Sequence, residues 1–215
     1  MKIAIPSKGR LSEPTMKLLG EAGLGVIDNP ERRLFAGCAV PGIEYLFVRA
    51  NDIPEYVERG AVDAGITGKD LVLETGAKVE MALDLDFGFC SLVLAVPEDM
   101  RAKGSKDLAG KRVATMFPNL TKKYMKGVEV VVVSGATEVA PYLGIADAVV
   151  DLTSSGTTLK INKLKVIETF MDSIACVVCR PGKFSEDVSN FVSALKSVVA
   201  ARGKKYLMAN VKREY

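Results

Sequence analysis

Histidine is absent from the 215 residues of this chain. Its absence excludes Ser-His-Asp and Cys-His catalysis, and it excludes every metal site that depends on an imidazole ligand. Any proton transfer would therefore use the side chain of an Asp, Glu, Lys or Tyr.

Cysteine is scarce, with four residues in the chain, and each lies among apolar neighbours. Cys176 and Cys179 form a Cys-x-x-Cys pair inside the segment IACVVCRP, which predicts a strand. Residues three apart on a strand point to opposite faces, so this pair is poorly placed to share a zinc ion or a disulfide. We interpret these two residues, together with Cys38 and Cys90, as buried structural thiols.

Long apolar runs and a large charge imbalance are also missing. No stretch approaches the roughly 20 apolar residues that a membrane-spanning helix needs. Residues 1–6 lead directly into strand-like sequence and not into a signal peptide. The net charge of +3 is too small to favour binding to nucleic acid or to a membrane surface. We expect a cytoplasmic protein that binds neither.

Strand-like and helix-like segments alternate along the chain, which predicts parallel βαβ units. Predicted strands cover residues 2–6, 32–35, 43–49, 61–67, 79–85, 90–97, 111–115, 128–133, 148–150, 173–180 and 205–211. Predicted helices cover residues 11–22, 52–59, 118–126, 137–143 and 184–202, and a further one opens at Gly68.

Two long apolar strands, residues 90–97 and 173–180, bracket a central α/β unit. We therefore predict an α/β protein of two lobes with mainly parallel sheets, joined by two crossing strands, with ligands in the cleft between the lobes. Lobe I would comprise residues 1–92 and 178–215, and lobe II residues 93–177.

The chain is organised around residues 144–159, GIADAVVDLTSSGTTL, in which a short apolar strand ends in a hydroxyl-rich turn before a helix. Free backbone N–H groups, small hydroxyls and the helix dipole form a cradle for phosphate at such a turn. The predicted phosphate ligands are Ser154, Ser155, Gly156, Thr157 and Thr158. The alternative is an ordinary junction whose hydroxyls cap the helix. Asp147 and Asp151 flank the strand and could hold sugar hydroxyls or a metal beside the phosphate.

Basic residues follow predicted strands in the first third of the chain. The loop SKGR, with Lys8, Gly9 and Arg10, comes directly after the first strand, where open α/β sheets bind anionic ligands. Arg33 and Arg49 lie on two further strands, and arginine forks match phosphate oxygens. The alternatives are solvated loop charges and surface salt bridges.

These residues carry a resemblance to a known family. The 144–159 segment, SGATEVAPYLG before it and IPSKGRL at the N-terminus resemble ATP phosphoribosyltransferase, and the likeness continues in order through VRANDIPEYVERGAVDAGITGKDL, ATMFPNLTKKY and ARGKKYLMANV. That family opens histidine biosynthesis by joining ATP to phosphoribosyl pyrophosphate (PRPP). The resemblance implies a two-lobed fold similar to bilobal periplasmic binding proteins.

The resemblance also implies a reaction, transfer of the phosphoribosyl group of PRPP to N1 of adenine with release of pyrophosphate. N1 carries a free lone pair at neutral pH, so a chain without histidine can act by positioning and charge stabilisation. We expect Arg33 and Arg49 at the pyrophosphate, and Asp151 at the ribose hydroxyls or countering charge at C1, with Glu138 a weaker second. Mg²⁺ is expected through substrate oxygens, without a metal site of the protein.

Two other function classes stay open, a non-catalytic bilobal binding protein and a regulatory subunit of the same fold. The lack of an export signal argues against the first, and the intact phosphate loop and basic residues argue against the second. The family has a longer form with a C-terminal regulatory domain and a short form with a separate regulatory subunit. The ending ANVKREY resembles the point where the longer form continues, so feedback by histidine stays open. We expect a homo-oligomer.

Overall fold

The computed structural model describes residues 1–27, 34–182, 184–205 and 207–209. Strands and helices in these residues build two β-sheets with helices packed on them. The helices are α1 Ser12–Glu21, α2 Ile53–Glu58, α3 Lys69–Thr75, α4 Pro118–Tyr124, α5 Thr157–Ile161 and α6 Glu186–Ala201. No helix in the described ranges is long and apolar enough to cross a membrane.

The first sheet has six strands in the order β2-β3-β1-β4-β11-β5. They are β1 Lys2–Pro6, β2 Phe35–Gly37, β3 Glu44–Val48, β4 Ala64–Gly68, β5 Glu80–Asp84 and β11 Ala175–Cys179. The central strands β4 and β11 are buried along their whole length, because helices or the rest of the lobe cover both faces.

The second sheet has five strands in the order β10-β6-β9-β7-β8. They are β6 Cys90–Pro97, β7 Arg112–Thr115, β8 Glu129–Val132, β9 Ala148–Thr153 and β10 Leu164–Ser173. The predicted two-lobed α/β fold is confirmed.

The sheets contain more antiparallel pairing than the sequence predicts. The βαβ units pair in parallel, β1 with β3 and β4, and β7 with β8 and β9. Five other pairings between described strands are antiparallel. The main reason is the exchange of chain between lobes: β11 enters the first sheet directly from β10 and runs opposite to its neighbours β4 and β5.

The chain crosses between the sheets twice. The first crossing lies between Asp84 and Cys90, and the second is Ile174, the single residue between β10 and β11. The crossings are hydrogen-bonded to each other, since Ala175 N donates to Phe87 O at 3.1 Å and Leu85 N donates to Ala175 O at 2.8 Å. The predicted strand over 173–180 corresponds to β11, and only its first residue, Ser173, belongs to β10 in the second sheet. No strand was predicted over the rest of β10. The limits given above for the lobes stay a prediction.

Alternation along the strands gives the first lobe a core on each face of its sheet. Ile3 and Ile5 pack on one face with α1 and α6, while Ala4 packs on the other with α2. Cys176 and Cys179 lie in these two different clusters, and all four cysteines are buried and free, as predicted. Burial raises the pKa of Cys176 to about 12 and that of Cys179 to about 11.

The second lobe has its main core between its sheet and α4, where Leu92, Leu94 and Val150 are fully buried. Leu71, from helix α3 of the first lobe, belongs to this same cluster. Helix α3 therefore packs against both lobes.

Several predicted element ends differ in the structure. The predicted helix over 137–143 is a 3₁₀ turn, Thr137–Val139, and the predicted helix from residue 118 ends at Tyr124. No strand forms at residues 205 and 207–209, the described part of the predicted last strand. Ser185 caps α6 as predicted, accepting a hydrogen bond from Val188 N at 3.3 Å.

Candidate active site

A cavity of about 420 Å³ lies between the two lobes. The first lobe lines it with Lys8, Gly9, Arg10, Leu11, Arg49, Ala50, Asn51, Asp70 and Leu71, and the second with Met116, Phe117, Asp151 and Leu152. Because β1 and β3 are parallel neighbours, the SKGR loop and Arg49 emerge together at their carboxyl ends. The structure thus brings three of the predicted basic residues of the first lobe, Lys8, Arg10 and Arg49, to the predicted carboxylate of the second, Asp151.

Arg10 is held in the cleft wall by its guanidinium. Nη1 donates to the carbonyl oxygen of Gly88, on the first crossing, at 2.5 Å. Nη2 donates to Asp70 at 3.3 Å, and the Arg10 side chain stays 40% exposed. An arginine anchored on one edge and open on the other is prepared to receive an anion without first losing much side-chain entropy.

Asp70 was not singled out from the sequence. Its side chain is 1% exposed, and it accepts hydrogen bonds from Arg10 and from Ser173 Oγ, the latter at 2.5 Å. The backbone approaches this carboxylate closely, because a Cβ at Gly68 would lie 2.4 Å from Asp70 Oδ1. Glycine at position 68 therefore makes room for the ion pair with Arg10.

Asp151 projects from β9 with both oxygens already engaged. Thr137 Oγ1 donates to Oδ2 at 2.6 Å, and Leu152 N donates to Oδ1 at 2.7 Å. Burial raises the pKa of Asp151, the nearby charge of Glu138 raises it further, and the bonds from Thr137 and Leu152 oppose this. Thr137 is fully buried and follows Ala136, whose φ of 48° is left-handed and turns the chain toward Asp151.

The predicted phosphate loop, residues 154–158, begins three residues after Asp151. Gly156 has a φ of 73°, which favours glycine, and its N–H donates to Thr153 Oγ1 at 2.8 Å. The side chains of Ser154, Ser155, Thr157 and Thr158 are exposed. Helix α5 has Gly156 at its N-cap, so no N-cap side chain satisfies its first N–H groups. The loop stands beside the cavity without lining it.

Comparison with known proteins decides the family. The HisG (ATP phosphoribosyltransferase) family model matches residues 49–198. The chain belongs to the ATP phosphoribosyltransferase family. It is 51% identical over 218 residues to the ATP phosphoribosyltransferase of Methanosarcina acetivorans, covering 98% of this chain and 75% of that protein. The corresponding protein of Methanococcoides burtonii is 50% identical over 216 residues, covering 98% and 76%.

Solved structures agree with this assignment. A chain of the ATP phosphoribosyl transferase (HisG:HisZ) complex from Thermotoga maritima superimposes with a TM-score of 0.81 and 30% identity, covering 93% of this chain and 98% of that one. The arginine-binding protein ArgBP from T. maritima matches with a TM-score of 0.59 and 15% identity, covering 95% and 91%, which shows the shared bilobal fold alone.

Two further positions singled out from the sequence, Glu138 and Asp147, do not line the cleft described above. Arg33 lies outside the described residues. Glu138 lines a different, larger cavity of about 740 Å³ in the second lobe, together with Arg112 and Asp147. The roles expected for Arg33 and Glu138 therefore stay predictions. Asp147 instead pairs with Lys111 and Arg112 at 3.9 and 3.8 Å. The geometry therefore gives no support to a role for Asp147 in holding sugar hydroxyls or a metal beside the phosphate.

Proposed function

We propose that this chain catalyses transfer of the phosphoribosyl group from PRPP to N1 of the adenine of ATP, releasing pyrophosphate, as the first step of histidine biosynthesis. The observation that carries the proposal is the convergence of Lys8, Arg10 and Arg49 with Asp151 on one cleft, in a chain of this family. The cleft is of a size that suits small ligands.

The reaction breaks the bond between C1 of the ribose and the pyrophosphate oxygen, and the electron pair leaves with that oxygen. The N1 lone pair forms the new bond to C1. Positive charge builds on the ribose and negative charge on the departing group. Arg49 and Arg10, on one wall, would stabilise the pyrophosphate, and Asp151, on the other, would stabilise the ribose.

The phosphate loop would hold the 5-phosphate of PRPP. Its residues 154–158 follow directly on the strand that carries Asp151, and their hydroxyls are exposed. A ribose held by Asp151 would direct its 5-phosphate toward these hydroxyls, of which those of Ser155 and Thr157 bond to each other at 2.9 Å.

Mg²⁺ belongs to this proposal as a substrate-bound ion. It would neutralise phosphate charge and bind chiefly through substrate oxygens. The donor set fits that role, because Asp70 is already engaged by Arg10 and Ser173, and both oxygens of Asp151 accept hydrogen bonds from the protein. The described ranges contain no group of three acidic or thiol side chains placed to hold a metal.

A cytoplasmic location and a homo-oligomer are part of the same proposal. A separate regulatory subunit is also proposed as a partner if the chain is of the family's short form, and the likeness to the HisG:HisZ complex supports this.

Release of pyrophosphate by the purified chain tests the proposal. We expect release that depends on both ATP and PRPP, with a 1:1 product in which adenine carries the ribose on N1. A non-catalytic binding protein or regulatory subunit would bind a ligand without this release. Absence of turnover both alone and with a regulatory subunit added would contradict the proposal.

A further inference from the structure

Helix α3 connects the two lobes through its last turn. Glu74, in α3 of the first lobe, accepts hydrogen bonds from two backbone N–H groups of α4 in the second lobe. The N–H of Asn119 donates to Oε1 at 2.9 Å, and that of Leu120 donates to Oε2 at 2.9 Å. In return, Nδ2 of Asn119 donates to the carbonyl oxygen of Glu74 at 2.8 Å.

The two N–H groups belong to the first turn of α4, where no preceding carbonyl can accept them. A carboxylate is the acceptor that best complements them, since its charge strengthens both bonds and favours the positive end of the helix. Phe117, the N-cap residue, makes no side-chain cap. The first lobe therefore supplies the cap that α4 lacks in its own lobe.

Apolar packing lies beside these hydrogen bonds. Leu71, one turn before Glu74, packs into the second-lobe core with Phe117 and Leu120. Leu71 and Phe117 also line the cleft. The contact between α3 and α4 is thus continuous with the cleft walls.

The other end of α3 is fixed at the second crossing. Lys69 N donates to the carbonyl oxygen of Ile174 at 3.0 Å, and Asp70 N donates to Ser173 Oγ at 3.0 Å. Helix α3 therefore runs from the crossing to α4, and its two ends are bonded to parts of the chain that belong to the junction or to the other lobe.

We propose that Glu74 is a positioning residue, which by capping α4 holds the basic wall and the Asp151 wall of the cleft at the separation that both substrates require. This inference rests on the proposed function, and Glu74 itself touches no substrate. Without the cap the lobes sample other arrangements, and substrate binding must restore the competent one.

Kinetics separate positioning from general stability. If Glu74→Ala reduces the population of the competent arrangement, KM for PRPP and ATP should rise about tenfold while kcat is largely retained at saturation. Irreversible loss of folded protein would instead lower the active fraction, and so kcat, with KM unchanged, and cooperative melting well above the assay temperature excludes reversible unfolding as the cause of a raised KM. Glu74→Gln keeps one acceptor oxygen and should lie between the parent and Glu74→Ala.

Glu58→Ala is the matched control. In the parent, the Glu58 carboxylate accepts a hydrogen bond from the backbone N–H of Lys78 at 3.1 Å, but both residues belong to the first lobe. We expect its KM values to equal those of the parent. Asn119→Ala, which removes only the bond to the Glu74 carbonyl, gives a second perturbation of the same contact if Glu74→Ala fails to fold.

A distance measurement tests the inference without turnover. Spin labels at Lys17→Cys in α1 and Val132→Cys in β8 lie in different lobes, and both positions are exposed. The four native cysteines are buried, so labelling selects the introduced ones. Glu74→Ala should shift or broaden the distance distribution, and Glu58→Ala should leave it unchanged.

Identical distributions and KM values in Glu74→Ala and the parent would overturn the inference, as would equal effects in Glu58→Ala. A parent protein without turnover, both alone and with a regulatory subunit added, would contradict the proposed function but not this inference, because the distance measurement would still decide the role of Glu74.

Discussion

Thr137→Val should show how strongly the buried hydroxyl supports the Asp151 carboxylate. Valine nearly keeps the shape of threonine but removes the donor that lies 2.6 Å from Asp151 Oδ2. Thr137 is fully buried, so no water replaces the lost bond without rearrangement.

The size of the effect follows from the charge of the acceptor. A hydrogen bond to a charged group contributes about 1.5–3 kcal/mol, against about 1 kcal/mol for a neutral pair. We therefore expect Thr137→Val to lower the free energy of unfolding by about 2 kcal/mol at pH 7. For a chain of this length that is a fall in Tm of about 4–8 °C.

The effect should depend on pH with a definite sign. Burial raises the pKa of Asp151, and the Thr137 bond lowers it, so Thr137→Val raises this pKa further. A carboxyl with a raised folded-state pKa binds more protons folded than unfolded in the interval above its ordinary pKa. The deficit of Thr137→Val should therefore be full at pH 7 and shrink as the pH falls toward the folded-state pKa.

Urea unfolding of the parent, Thr137→Val, Asp151→Asn and the double variant at pH 7 and pH 5 measures this. In the Asp151→Asn background the Thr137 substitution should cost only about 1 kcal/mol, because the acceptor is neutral. Thr121→Val is a control, since Thr121 donates to the neutral hydroxyl of Thr115 at 3.2 Å. A Thr137→Val deficit that is unchanged by both pH and Asp151→Asn would refute the reasoning.

Three further predictions concern the reaction. Arg49→Ala should lower kcat/KM about 10²–10³-fold, or roughly 2–4 kcal/mol, and Arg49→Lys should recover only part, because an ammonium does not reproduce the guanidinium fork. Turnover at the parent rate would make Arg49 structural. Gly156→Val should weaken PRPP binding in calorimetry while cooperative melting survives, because a φ of 73° disfavours a β-branched residue. Unchanged affinity would remove the loop from the site. Single-turnover rates should stay nearly flat between about pH 7 and 9, since N1 needs no general base. An acid limb that Asp151→Asn or Glu138→Gln abolishes would identify a base after all.

The sequence could predict those site residues whose position depends only on the pattern of residues close to them in the chain. The SKGR loop and Arg49 each follow a strand, and parallel neighbours bring such ends together. Asp151 sits at the end of an apolar run before a hydroxyl-rich turn, a pattern legible within one segment. The two lobes were predicted from the two long apolar segments, residues 90–97 and 173–180, that bracket an α/β unit.

The parts that sequence did not predict depend on contacts between distant residues. Asp70 belongs to the site because it accepts hydrogen bonds from Arg10, 60 residues away in the chain, and from Ser173, 103 residues away. Glu74 caps a helix whose first turn is 45 residues further along. In the sequence both look like ordinary acidic residues of a helical segment. Thr137 lies next to the predicted Glu138, but only the turn at Ala136 decides which of the two side chains reaches Asp151.

The antiparallel course of β11 escaped prediction for a related reason. Its apolar sequence fits any buried strand, and nothing local states that it arrives from the other lobe. The direction of β11 is decided by its entry into the first sheet from β10, and this connection between the lobes cannot be inferred from the residues of β11 alone.

The second crossing restricts how the lobes can move. Ile174 alone separates β10 from β11, and one residue extends at most about 3.6 Å. That link cannot lengthen further, and two backbone hydrogen bonds, from Ala175 N to Phe87 O and from Leu85 N to Ala175 O, hold the first crossing next to it. The lobes therefore cannot slide apart or translate along each other; they can only swivel about this short axis. Parts of the cleft far from the axis would travel the greatest distance if it opened, so we expect a ligand to enter on the side away from Ile174.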